Sequence, residues 1–220
     1  MHEAEIDNMT LRSARYWRTV TMIALACFLA AGAGRLMSVP PEYISPLWPA
    51  AGLMLAVLLI YGFRYWPGVW LGATLFDMWV DPSVTGLMSS VFLGAGSTVQ
   101  ALIAARLVKP FVHDPAVFIR DRNVWSFLIL SGPVACLTAP TLGIAILYGF
   151  GRLAPDSMAS HWLTWWVGDT LGVILFAPLF LLIWYARRSL TPFPRTQVTV
   201  PLLITAILLS AGHLGLNKYE

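Results

Sequence analysis

Asp169 follows three tryptophans, Trp162, Trp165 and Trp166, inside an apolar stretch that runs on to Pro178. Tryptophans gather at membrane interfaces, so an acid about seven residues further along a helix would lie about 10 Å inside the bilayer. A charged side chain at that depth costs at least about 2.5 kcal/mol unless it is paired or wetted. We therefore expect Asp169 to belong to a ligand-binding or proton-sensing site, and the alternative is a structural acid hydrogen-bonded across helices.

Two further polar residues lie in apolar stretches. Asp77 lies near the end of one stretch, where it either joins Asp169 in one outward-facing pocket or only reaches headgroups and water. Gln100 lies midway along the next stretch among small residues, where an amide serves either a ligand or helix packing. Asp77 and Asp169 could also pair for acid/base catalysis. No serine or histidine nucleophile constellation accompanies them, so we do not expect this chain to be an enzyme.

Trp48 and Trp166 are candidates for aromatic walls, which suit an organic or cationic ligand. The other tryptophans fit interfacial belts. No HxxxH pair or carboxylate-rich cluster supports a metal site, so we expect neither metal nor cofactor. Cys27 and Cys136 both fall in apolar stretches and are expected to be packing residues.

The composition identifies the environment of these residues. Hydrophobic residues make up 58% of the 220 residues and charged residues only 11%, which is typical of an integral membrane protein. The net charge of +3 is spread over short segments between apolar stretches, so it does not indicate nucleic-acid binding. Almost the whole length is apolar stretch, which leaves no room for a soluble catalytic domain of about 100 residues.

The apolar stretches predict an all-α, polytopic transmembrane helical bundle of about seven spans. These are expected at residues 19–37, 48–61, 66–80, 86–108, 124–148, 162–185 and 198–216. The second and third are short for a bilayer of about 30 Å, so a re-entrant hairpin that would bury Arg64 is the alternative to two crossings. Pro133 and Pro140 predict an irregular fifth helix. Two GxxxG pairs, Gly68 with Gly72 and Gly168 with Gly172, predict close helix packing.

The basic residues predict the orientation. With residues 1–18 in the cytoplasm, eleven of the fourteen Lys and Arg residues fall on the cytoplasmic side. The three others are Arg35, Arg152 and Lys218. Seven spans place residues 217–220 outside, so a chain that regulates something in the cytoplasm must cross once more, and we expect an eighth span after Glu220.

Three motifs in a fixed order carry a family resemblance. They are PLWPAAG at 46–52, WPGVWLG at 66–72 and WWVGDTLG at 165–172, the last followed by APL at 177–179. This combination resembles the MASE1 membrane-associated sensory domain, over roughly residues 24–185 and extending to 19–216. The resemblance implies a bacterial inner-membrane input module, usually attached to a histidine kinase, a diguanylate cyclase or a cyclic-di-GMP phosphodiesterase. No motif of those output domains is present.

The function expected is therefore a membrane signal-input domain that senses a small ligand, a membrane protein partner or the membrane state. Lipid surrounds it, and a homodimer is expected in the full-length protein. A small-solute transporter or membrane substrate-binding component is the alternative, because polar residues near the midplane and interrupted helices would serve it too.

Overall fold

The computed structural model describes residues 2–38, 45, 47–112 and 121–188, and these ranges are helical with no strand. Seven α-helices follow in order: α1 His2–Leu36, α2 Pro49–Tyr61, α3 Trp66–Val80, α4 Val84–Val108, α5 Asp121–Ile129, α6 Thr138–Gly149 and α7 Met158–Arg188. Short 3₁₀ segments extend or link them at Phe63–Tyr65, Lys109–Phe111 and Pro155–Ser157. The all-α prediction is thus confirmed for the described residues.

Among the described residues, fewer helices than the sequence predicts are long and apolar enough to cross a membrane. Within the described residues, four helical stretches are long and apolar enough to cross a membrane: Ser13–Leu36, Val84–Phe111, Val124–Gly149 and Pro155–Tyr185. The 13-residue α2 and the 15-residue α3 would be about 20 and 22 Å long. Each is therefore shorter than the bilayer core of about 30 Å. The predicted span at 198–216 lies outside the described residues.

Helices α1 and α3 run parallel in close contact. A Cβ at Gly68 would lie 2.7 Å from the carbonyl oxygen of Val20, and a Cβ at Gly72 would lie 2.5 Å from that of Ala24. One turn further on, Phe28 meets Phe76 edge to face at 5.9 Å between ring centroids. The first GxxxG pair therefore lies directly against the α1 backbone, where only glycine leaves enough room.

Aromatic side chains gather at one end of the bundle, which we call the Tyr16 end. The Tyr16 hydroxyl donates to the Arg64 carbonyl oxygen at 3.0 Å, and its ring stacks on Tyr65 at 5.2 Å. Tyr61 packs against Trp184 of α7 at 5.0 Å. The turn between α2 and α3 thus lies beside the early part of α1 and the late part of α7. Gly62 makes this turn at φ 96°, a conformation that favours glycine.

The fifth predicted span is an interrupted helix. Between α5 and α6 the chain forms a π-helical segment, Leu130–Val134, and a 3₁₀ segment, Ala135–Leu137. Pro133 and Pro140 have no N–H to donate, so the regular hydrogen-bond ladder cannot continue through this region. The irregularity predicted from the two prolines is confirmed.

Candidate functional site

A cavity of about 220 Å³ lies between α2, α3, α4, α6 and α7, in the half of the bundle away from the Tyr16 end. Both predicted acids, Asp77 and Asp169, line it, as does Trp48. Most of the remaining wall is apolar or aromatic. An apolar cavity with a few convergent polar groups is the usual form of a small-molecule site.

Asp169 is buried, with 3% of its surface exposed, and two neighbouring helices hold it in place. The Gln100 Nε2 of α4 donates to the Asp169 Oδ2 at 2.8 Å. The other amide atom, Oε1 of Gln100, accepts from the backbone N–H of Ala139 at 3.0 Å. Gln100 thus joins the cavity acid to the first turn of α6, just beyond the interruption in the helix.

The hydrogen bond from the Ala139 N–H to Gln100 explains how an interrupted helix can be stable in a membrane. The tight segment before α6 leaves the Ala139 N–H available, and an unsatisfied N–H in hydrocarbon costs several kcal/mol. The indole N–H of Trp166 likewise donates to the Pro133 carbonyl oxygen at 3.0 Å. Side chains from α4 and α7 therefore satisfy backbone groups on both sides of the break.

The position of Asp169 depends on backbone contact between α2 and α7. The Trp48 N–H donates to the Gly168 carbonyl oxygen at 3.0 Å, which links two of the sequence motifs directly. A Cβ at Gly52 would lie 2.5 Å from the Gly172 carbonyl oxygen, and one at Gly172 would overlap the carbonyl of Trp48. The helices approach this closely because glycines face each other across the contact.

The structure brings together four of the five predicted site residues and separates one. Trp48, Asp77 and Asp169 line the cavity. Gln100 is not part of the cavity wall but donates a hydrogen bond to Asp169. Trp166 lies outside the cavity wall, where it stacks on Trp162 at 6.0 Å and bonds to Pro133. Its role as a ligand wall stays a prediction, and the contact that the structure gives it is with the interrupted helix.

Trp165 and His161 also line the cavity, although neither is among the predicted site residues. Their spacing could have predicted this position, because residues 161, 165 and 169 are four apart and share one face of a helix. The His161 Nδ1 lies 2.8 Å from the Ser157 carbonyl oxygen. Because a carbonyl can only accept, Nδ1 carries a hydrogen, and the neutral ring keeps an acceptor at Nε2.

Asp77 is partly buried on α3, and its carboxyl has no hydrogen-bond partner among the described residues. The guanidinium of Arg152 is near enough to act on it electrostatically. Arg152 gives its hydrogen bonds elsewhere, to the Ser89 hydroxyl at 2.7 Å and to the carboxylate of Asp81. Arg152 thus ties the α6–α7 loop to the α3–α4 turn at the end of the bundle that contains the cavity.

The Asp81 ion pair predicts an acid-sensitive contact. Hydrogen bonds from Ser83, together with the nearby Arg152, hold the pKa of the Asp81 carboxyl below its ordinary value of 3.8. Because the folded-state pKa is depressed, the stabilisation is complete above pH 3.8 and is lost as the pH falls through the folded pKa. Amide exchange at Ser83, corrected for intrinsic rate, should stay constant between about pH 5 and 7 and rise below about pH 4. In Asp81→Asn this rise should be absent, and an equal rise there would contradict the assignment.

Within the described ranges no group of three or more His, Cys, Asp or Glu side chains could hold a metal ion. Cys27 and Cys136 are buried and free. His113 and His213 lie outside the described residues. The expectation of no metal and no cofactor stays a prediction.

These features define a multi-pass helical membrane protein with a cavity lined by acidic and aromatic side chains. The MASE1 family model matches residues 18–216, nearly the whole chain, and the chain belongs to the MASE1 family. MASE1 domains are membrane-associated sensory domains and not catalytic ones. No curated protein and no solved structure matches the chain.

Proposed function

We propose that this chain is the signal-input domain of a longer, homodimeric protein of the bacterial inner membrane. In this proposal the cavity binds a small ligand, and occupancy changes the activity of a cytoplasmic histidine kinase or cyclic-di-GMP enzyme. The observation that carries the proposal is the hydrogen-bond chain from Asp169 through Gln100 to the Ala139 backbone. It connects the wall of a cavity to an interrupted helix, which is the kind of element that can adopt two arrangements.

The proposed bundle has seven spans, with α2 and α3 both crossing the membrane. The position of the α2–α3 turn relative to the apolar stretch of α1 supports this proposal. Arg64 is exposed and lies beside Tyr16, near the start of the apolar stretch Ser13–Leu36. A re-entrant hairpin would place Arg64 about midway along α1. Two short spans can be accommodated by local thinning of the bilayer.

The proposed orientation places the Tyr16 end in the cytoplasm. Basic residues gather there, with Lys109 against Phe63 at 5.0 Å and Arg64 against Tyr65 at 4.8 Å. Arg15 and Arg18 lie near the start of the apolar stretch of α1. Arg106 and Arg187 lie in the last turns of α4 and α7. The opposite end has Arg35 and Arg152. This asymmetry supports the positive-inside orientation, which puts the cavity toward the periplasm.

Substitution of Asp169 tests the proposal in the full-length protein. Asp169→Asn keeps an oxygen that can accept from Gln100 but removes the charge, so the bundle should fold. The steady activity of the output domain in membranes should change by about two- to thirtyfold, the range of a 0.5–2 kcal/mol coupling. Asp156→Asn is the matched control, because Asp156 is exposed and lies outside the cavity wall. Unchanged output with normal membrane levels would contradict the proposal.

A small-solute transporter is the second candidate, because an interrupted helix beside a polar cavity also suits transport. Uptake into proteoliposomes separates the two functions. Specific, saturable flux of a solute, measured beside a working transporter, would favour the transporter over the sensor.

A further inference from the structure

We propose that the cavity binds a small organic cation: a protonated amine with an apolar or aromatic group. This inference rests on the proposed function in one respect, that the cavity is the sensory site. It adds the chemical class of the ligand, which the charge, the walls and the size of the cavity determine together.

Acidic side chains line the cavity. Among the described residues, the titratable side chains in the cavity wall are Asp77, Asp169 and His161, and Arg152 is near enough to act on Asp77. Asp81 neutralises the guanidinium of Arg152 through their ion pair. Among the described residues, no lysine or arginine lies in the wall to balance the two carboxyls.

The two carboxyls differ in what they can offer a ligand. Asp169 already accepts from Gln100 and has the Trp165 side chain within hydrogen-bonding reach. The Asp77 carboxyl has no hydrogen bond among the described residues, although it lies inside an apolar bundle. An ammonium group in the cavity would supply that missing partner and offset the cost of placing an acid there.

The walls fit the rest of such a molecule. Trp48 and Phe76 meet edge to face at 5.8 Å, and Trp165 adds a third ring to the lining. The faces of aromatic rings attract cations, and the same rings provide apolar contact for a hydrocarbon group. A volume of about 220 Å³ is below the usual range of about 300–1,000 Å³ for ligand pockets, so the ligand is small.

The other two ligand classes fit less well. An anion would have to lie beside two carboxyls, with no lysine or arginine among the described residues of the wall. A neutral apolar molecule would exclude water from the Asp77 carboxyl and supply no hydrogen-bond partner in its place. The charge of the ligand is therefore what the experiment must vary, while its shape is kept constant.

Benzylamine, benzyl alcohol and benzoate provide that comparison. We would titrate each into the purified full-length protein in nanodiscs and follow binding by calorimetry and by thermal unfolding. Benzylamine should bind at least about tenfold more tightly than benzyl alcohol, and benzoate should not bind. Asp77→Asn should weaken benzylamine binding by at least about tenfold, whereas Asp156→Asn should leave it unchanged.

Three results would overturn the inference: equal binding of benzylamine and benzyl alcohol, preference for benzoate, or no binding of benzylamine by a protein with a normal unfolding transition. Undiminished binding of benzylamine to Asp77→Asn would also overturn it. None of these results bears on the output test with Asp169→Asn. A change of output without amine binding would keep the sensor function and reject the cation.

Discussion

Gly172→Val is expected to prevent assembly of the bundle, the largest effect of any single substitution considered. A Cβ at this position would overlap the Trp48 carbonyl oxygen and lie 2.7 Å from its carbon. These are backbone atoms, so no side chain can rotate away and α2 must move off α7. That movement also breaks the hydrogen bond from the Trp48 N–H to Gly168. We expect destabilisation of about 3 kcal/mol or more, at or beyond the upper end for overpacked cores.

Gly32→Val is the matched control, because Gly32 is also helical and a Cβ there would meet nothing within 4 Å. Both variants add the same side chain to a glycine of an apolar helix. Size-exclusion profiles in mild detergent and unfolding in SDS would compare them with the parent protein. Gly172→Val should aggregate or unfold early, and Gly32→Val should behave like the parent. Equal stability of the two variants would contradict the close α2–α7 contact.

The sequence was sufficient for the features that depend on local chemistry. Pro133 and Pro140 lack an N–H wherever they lie, so the interruption of their helix followed from the residue types alone. The glycine pairs were recognisable because their spacing repeats on one helix face. Asp169 was recognisable because an acid in an apolar stretch is costly in any bundle.

Contacts that depend on which helices pack together could not be predicted from local sequence patterns. Gln100 lies 39 residues from Ala139 and 69 from Asp169, and its two hydrogen bonds require α4 to pack against both α6 and α7. The pairing of Arg152 with Asp81 spans 71 residues and joins two loops whose distance no local pattern determines. Both contacts belong to the packing of the bundle.

The tryptophans are an intermediate case. Motif membership favoured Trp166 as a cavity wall, but helical periodicity places Trp165 on the face of Asp169, because those residues are four apart. Trp166 instead points toward the interrupted helix, where its indole N–H has a backbone carbonyl to satisfy. The spacing alone separates Trp165 from Trp166, but it does not predict that Trp166 bonds to Pro133.

Gln100→Leu should have the second-largest effect, because one substitution removes two hydrogen bonds inside the bundle. The Asp169 carboxyl loses its amide donor, and the Ala139 N–H loses its acceptor in a part of the chain with no regular ladder. Leucine fills a similar volume, so the effect is one of lost hydrogen bonds and not of a cavity. Interhelical hydrogen bonds in membranes contribute about 0.6–2 kcal/mol each, so the free energy of unfolding should fall by about 1–4 kcal/mol.

A double-mutant cycle separates the two bonds. Asp169→Leu removes the carboxyl, so in its background Gln100→Leu can lose only the bond to Ala139. The cost of Gln100→Leu should therefore be smaller there than in the parent protein, by about 0.6–2 kcal/mol of coupling. SDS unfolding of the four proteins measures this energy. Additive costs would show that Gln100 and Asp169 do not act together, and the route from the cavity to the interrupted helix would then have to pass through other residues.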